Sequence, residues 1–235
     1  MRALSRLLVV LLVLLVLAAV ADRLAVRAVQ QVVAARLQSA GGLPTTPEVE
    51  VGGVPFLTQA LRGRYDDVTV RAASVPAGTL TVRSFDAQLS GVQVALSDAA
   101  RGDVTSVPVD ALSARALLGY PEMSAALADR GLRVAPAGGG RVRVTGTLTV
   151  LRRQLEASAI SRATLEGDEV VVTAERFEVG SAVADAVVSR ALGDRLDFRI
   201  AVGQLPYGLS LAGLTVGGDG VVLRASAAAT VLTPR

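Results

Sequence analysis

The stretch LTVRSFDAQLSGVQVAL, residues 80–96, decides how the chain is read. Leu80 and Val82 point one way on an extended backbone. The phase then slips to Phe85, Ala87 and Leu89, and slips again at Gly91 to Val92, Val94 and Leu96. Alternation with period two marks a strand with one apolar and one wet face, because successive side chains leave opposite sides of the pleat. A one-residue slip reverses those faces, so two slips in one run require bulges or bends. A sheet built from such strands curves.

The same alternation recurs downstream. Val142, Val144, Leu148 and Val150 alternate with Arg143, Thr145, Thr147 and Thr149, and Leu196, Phe198, Ile200 and Val202 repeat the pattern. One greasy and one wet face per strand is characteristic of antiparallel sheets. The glycine-containing stretches 137–140, 166–169 and 217–220 fall between extended runs and predict hairpin tips, the last through its Asp219-Gly220 pair. None of them has the Lys and following Ser or Thr of a phosphate loop. The acidic residues Glu166, Asp168 and Glu169 lack the spacing of a calcium loop and read as a solvated turn.

Helical spacing predicts a helix over 24–38, with Val26, Val29, Val33 and Leu37 as its packed stripe and Arg23, Arg27, Gln30, Gln31 and Gln38 mostly opposite. A short strand, Glu48 to Val51, follows the Gly41-Gly42 break. Further helices are predicted over Asp110 to Leu118 and Pro121 to Arg130, separated by Gly119, and over Ser181 to Leu192, ended by Gly193. The fold class is therefore α+β: a long curved antiparallel sheet packed with a long N-terminal helix and shorter helices.

Ahead of this body stands an apolar run from Leu7 to Ala21, preceded by Arg2 and Arg6. Its fifteen residues span about 22 Å at ~1.5 Å each, short of the roughly 30 Å of bilayer hydrocarbon. Residues 1–21 thus read as an export signal cut after Ala21 or, alternatively, as an uncleaved anchor. Residues 22–235 are expected to form a single domain, the helix of 24–38 followed by a sheet-rich body over 46–235. No cysteine is present to carry a lipid or form a disulfide.

Composition narrows the chemistry. The chain has 24 basic residues, all arginine, against 21 acidic ones and no histidine. With so few groups titrating between the carboxylates and the tyrosines, a small arginine excess lifts the isoelectric point to about 10.1 without making a basic surface. No basic stripe interleaved with aromatics appears, and nucleic acid is not expected as a partner. Without His, Cys or Lys, the usual general bases, thiolate nucleophiles and Schiff-base amines are missing, as are the preferred zinc and copper ligands. Gly208-Leu209-Ser210-Leu211-Ala212 lacks the last glycine of a nucleophile elbow and reads as a strand. A hydrolase built on Asp66, Asp67 or Asp110 is a remote alternative, since no Trp offers a sugar platform. No catalytic residue, cofactor or metal is expected.

Two proline-led hooks remain, Val54-Pro55-Phe56-Leu57 and Leu205-Pro206-Tyr207-Gly208. The segment from Glu48 to Gln59, with Gly63 and Tyr65 to Val70, resembles the start of the LmeA-type phospholipid-binding family of high-GC Gram-positive bacteria. Leu205 to Leu211, Leu214 to Val216 and the Asp219-Gly220-Val221 hairpin resemble its close, and the likeness extends in order from about residue 24 to the C-terminus. It implies a tubular lipid-binding fold, exported to the cell envelope at the outer face of the cytoplasmic membrane, that binds phospholipid rather than transforming it.

In that reading acyl chains lie against Phe56, Leu57, Phe85, Leu89, Leu148, Phe198, Tyr207 and Leu209. Arginine must meet the phosphate of the lipid, and Arg62, Arg64, Arg152 and Arg153 are the candidates, at most one of the last two facing a given groove. The bland alternatives are that the hooks plug an ordinary core and that the arginines line a solvated edge. The competing function is a structural or adaptor domain of the envelope with a filled core and a protein partner.

Overall fold

One helix, α1, runs from Arg2 to Gly41 without a break. The computed structural model describes residues 2–77, 80–101, 104–150, 153–167, 169–179, 182–183, 198–201 and 208–233. The apolar run and the predicted helix of 24–38 are one element, because no Gly or Pro interrupts residues 7–40 and Asp22-Arg23 is compatible with helical backbone. Its packed side also differs from the predicted stripe. Asp22, Val26 and Ala34 are buried and Gln30, Val33 and Gln38 half-buried, whereas Val29 and Leu37 are each 38% exposed. The steps of four from Asp22 keep Gln30 and Gln38 on the docked side, where Gln38 Oε1 accepts from Thr46 at 2.6 Å.

Beyond α1 come β1 (Glu48–Val51), α2 (Phe56–Arg62), β2 (Arg64–Ala77) and β3 (Leu80–Gln93). Then follow α3 (Leu96–Arg101), β4 (Val107–Val109), β5 (Ala111–Gly119), α4 (Tyr120–Ala126) and a 3-10 turn at Ala128–Arg130. Next are β6 (Leu132–Gly138), β7 (Arg141–Val150), β8 (Arg153–Glu166), β9 (Glu169–Val179), β10 (Ala182–Val183) and β11 (Phe198–Ala201). The chain closes with β12 (Ser210–Val216), β13 (Gly220–Ala227) and β14 (Thr230–Leu232). The class is α+β. One six-stranded sheet has the order β1-β2-β3-β5-β13-β12, and a second has the order β10-β9-β8-β7-β6, with β11 paired antiparallel to β9.

The three glycine-containing tips join β6 to β7, β8 to β9 and β12 to β13, all antiparallel pairs. Register shifts interrupt the ladders at Pro136/Gly138, Ile160/Ser161 and Leu211/Gly213. The second slip expected in 80–96 falls at Gly91, whose φ is +62°, with Ala87 and Leu89 buried before it and Val92 after it. Leu96, expected to continue the strand, instead opens α3.

Two helix expectations are corrected. Residues 111–119 form the strand β5, not a helix: despite high helix propensity, Leu112 is buried while Ser113 and Arg115 are exposed, the alternation a strand needs between β3 and β13. Ala182–Val183, at the start of the expected helix of 181–192, is paired in strand with β9, and the rest of that helix lies outside the described residues.

The chain divides into two compact units. Unit 1 comprises Met1–Arg71, Ala87–Leu112 and Ala228–Arg235, and unit 2 comprises Ala72–Asp86 and Ser113–Ala227. In unit 1, Val26, Phe56 and Ala60 form a buried cluster joined by Ala25, Val51 and Tyr65. In unit 2, Tyr120, Val142 and Val221 form another, against which Leu118, Met123, Val134, Val144, Leu214 and Val216 pack half-buried.

Candidate apolar sites and their polar rims

The first hook is built around α2. Pro55 precedes the helix in extended conformation and offers no side-chain cap to its free N–H groups. That role falls to α1: Leu57 N–H donates to Asp22 Oδ1 at 2.8 Å, across 35 residues of sequence. Asp22 is 4% exposed, and its Oδ2 has no hydrogen-bond partner among the described residues. Gln59 completes the hook from inside, donating through Nε2 to Gly52 O at 3.0 Å and accepting from Asp66 N–H at 2.9 Å.

Phe56 is buried beneath this frame, its ring stacked on Tyr65 with centroids 6.0 Å apart. Burial pushes the Tyr65 phenol upward in pKa. On the opposite side Leu57 is 40%, Val54 70% and Leu61 79% exposed. The hook thus has one side in the core and one bare aliphatic side.

Of the predicted phosphate-binding arginines, Arg64 is paired with Asp110 at a half-exposed site. Arg62 is exposed and lines a cleft of about 350 Å³ in unit 1, together with Asp98, Thr105 and Ser106. Leu89, predicted to line the groove, is buried in unit 1.

Unit 2 holds Phe85, Leu148, Phe198, Leu209 and Arg153. Phe85 and Leu209 are half-buried. In register, Leu148 of β7 pairs with Leu155 of β8, Phe198 at the start of β11 with Val172, and Arg153 at the start of β8 with Val150. Tyr207 and Arg152 lie outside the described residues. The structure therefore divides the predicted set between the units. Ser210, the false elbow serine, sits on a strand and donates to Ser226 O at 3.2 Å.

The apolar side of β7, β8 and β9 carries Val142, Val144, Ala159 and Phe177; the other side is tied by charge. Arg143 donates to Glu178 at 2.7 Å, while Glu175, the extra residue at the Ile160/Ser161 bulge, accepts from Arg162 at 2.6 Å and from Arg141 at 3.3 Å. These bonds hold Glu178 and Glu175 below the usual carboxylate range. Arg83 grips Glu122 with two bonds, at 3.0 and 2.9 Å, which lowers the Glu122 pKa in the same way. Tyr120 Oη donates to Gly217 O at 2.6 Å and fastens α4 to the β12–β13 tip.

A second cleft, about 640 Å³, opens beside α4 in unit 2, lined by Ser124, Leu132, Arg133, Thr145, Thr147 and Glu156 among others. Small groups make it: Ala125, Ala128, Gly131 and Gly146 leave the space, and the sequence offered no sign of it beyond the threonine face of β7. Among the described residues, no three carboxylates gather to hold a metal.

Among the described residues, aliphatic strand faces stay half-buried and Arg83, Arg143 and Arg162 are committed to carboxylates. The model of the LmeA-like phospholipid-binding family matches residues 20–226, and the chain belongs to that family. No curated protein and no solved structure matches it.

Proposed function

We propose that the chain is a non-catalytic phospholipid-binding protein of the cell envelope, working at the outer face of the cytoplasmic membrane. Family membership over residues 20–226 is the observation that carries this reading. The physical support is local. Leu118, Met123, Val134, Val144, Leu214 and Val216 stay half-buried around a small buried cluster, a surface against which acyl chains gain by leaving water.

The acyl-chain contacts are assigned to Phe85, Leu148, Phe198 and Leu209 in unit 2, with Tyr207 close to Leu209 in sequence, and to Leu57 in unit 1, where Leu89 is buried in the core. Phe56, buried under the hook, contributes by holding Leu57 in place. Arg62, Arg152 and Arg153 are assigned to the phosphate; Arg64 can join only by leaving Asp110. The apolar half of α1 serves as export signal or anchor; α1 as a whole, Ser5–Gly41, is long and apolar enough to cross a membrane.

Native mass spectrometry of residues 22–235, purified without detergent and followed by organic extraction, tests this reading. A stoichiometric phospholipid is the expected result. An empty protein that also refuses added phospholipid would point to the adaptor with a filled core.

A further inference from the structure

We infer that the outer side of the first hook, Val54, Leu57 and Leu61, is a bilayer-seating surface that enters the interfacial layer of the membrane in which the apolar run of α1 is anchored. The argument begins at Asp22. From Leu7 to Val20 the large aliphatic side chains of α1 are half-exposed or more, and this run ends at the first charged residue, Asp22. A hydrocarbon environment that accepts the run stops at that level, since the exposed guanidinium of the adjoining Arg23 strongly resists being carried further in.

The Asp22 carboxylate is also the group that accepts from Leu57 N–H at 2.8 Å. The start of α2 is therefore fixed level with the end of the apolar run. At that level the hook turns outward three aliphatic side chains, at 70%, 40% and 79% exposure for Val54, Leu57 and Leu61. Leu57 and Leu61 are four residues apart and share one face of α2, while Phe56 and Ala60 on the other face fill the core.

Water is a poor neighbour for such a side, and the adjoining apolar run of α1 says what covers it: the same lipid. Exposed arginines flank it in sequence, Arg23 and Arg27 on α1 and Arg62 after Leu61, and can meet lipid phosphates at the interface. The inference takes from the proposed function that the chain works at a membrane, and of the two readings of the apolar run it takes the retained anchor. It does not require a lipid held in a pocket.

The chain has no tryptophan, so a single introduced one reports its own depth. The full chain carrying Leu61→Trp, Val54→Trp or Ser39→Trp is reconstituted in phosphatidylcholine–phosphatidylglycerol vesicles brominated on the acyl chains. Ser39 lies about 26 Å further along α1 than Asp22, at ~1.5 Å per residue, and serves as the distant reference. Emission from Leu61→Trp and Val54→Trp is expected to be blue-shifted and quenched several-fold more than that from Ser39→Trp. Equal, weak quenching at all three positions would overturn the seat.

Adding Asp22→Ala to Leu61→Trp should relax the quenching toward the reference, and Asp22→Asn, which keeps an acceptor for Leu57 N–H, should restore it. Quenching indifferent to both changes would overturn the role of Asp22. A chain that retains no phospholipid on extraction yet shows the quenching keeps the seat and loses the binding reading. Retained phospholipid without quenching does the reverse.

Discussion

Asp22 shows how much one side chain can organise. A buried carboxylate with an unpartnered oxygen is costly in itself, and it is kept here because it serves a backbone N–H that Pro55 cannot cap. Asp22→Ala orphans Leu57 N–H and is expected to lower unfolding stability by about 1–3 kcal/mol in urea titration. Asp22→Asn, which keeps the acceptor, should lose less. The two sides of α2 separate in the same assay. Phe56→Ala empties the space among Val26, Ala60 and Tyr65 and should cost about 3 kcal/mol, whereas Leu61→Ala, at a side chain 79% exposed, should stay within about 0.5 kcal/mol. Equal losses would mean that Leu61 is packed rather than bare.

At the scale of elements, backbone approach decides where glycine is required. The Cβ of an alanine at Gly220 would lie 2.1 Å from Leu118 O, a backbone atom of β5 that cannot rotate away. Gly220→Ala should therefore part β13 from β5 and cost about 3 kcal/mol or more, the upper end of overpacking penalties. Gly91→Ala meets the end of the Asp110 side chain, which can move, so its cost should be nearer the roughly 1–2 kcal/mol of a left-handed φ without glycine. A reversed order in thermal unfolding would contradict this assignment. The same distinction between local and distant causes explains what the sequence revealed. The hairpin tips, β1, β7 and the slip at Gly91 were legible because their signals are local. β5 was not, because Ala and Leu favour helix and its neighbours β3 and β13 are distant in sequence. The packed side of α1 was legible at Val26 and Val33 but misplaced at Val29 and Leu37, because a polar Gln30 and an acidic Asp22 stand on it. Of the site, the exposed leucine of the hook was legible as apolar and special, but the acid that positions it lies 35 residues earlier and carries no motif.

For the whole molecule, the absence of histidine, cysteine and lysine becomes a statement about stability. Glu122, Glu175 and Glu178 are held below the usual carboxylate range, foremost by hydrogen bonds from Arg83, Arg162 and Arg143 respectively. A carboxylate with a depressed folded pKa adds stability that is fully present above its unfolded pKa, about 4.3, and is lost as pH falls through the lower folded value. Tyr65 and Tyr120 are shifted upward, foremost by burial, so their contribution is present below about 10 and lost as pH rises through their folded values. Between these windows no side chain in the chain normally titrates. The urea midpoint should therefore be level from about pH 6 to 9 and fall on either side, with the acid limb shallower in Glu122→Gln, which removes one of the three depressed groups. Salt should weaken the acid limb, because these pairs are partly exposed and screened. A midpoint that moves between pH 6 and 8 would require an ionisable group that the side chains of this sequence do not supply. A level midpoint with an unchanged acid limb in Glu122→Gln would leave Glu175 and Glu178, on the charged side of β7 to β9, as the origin of the acid sensitivity.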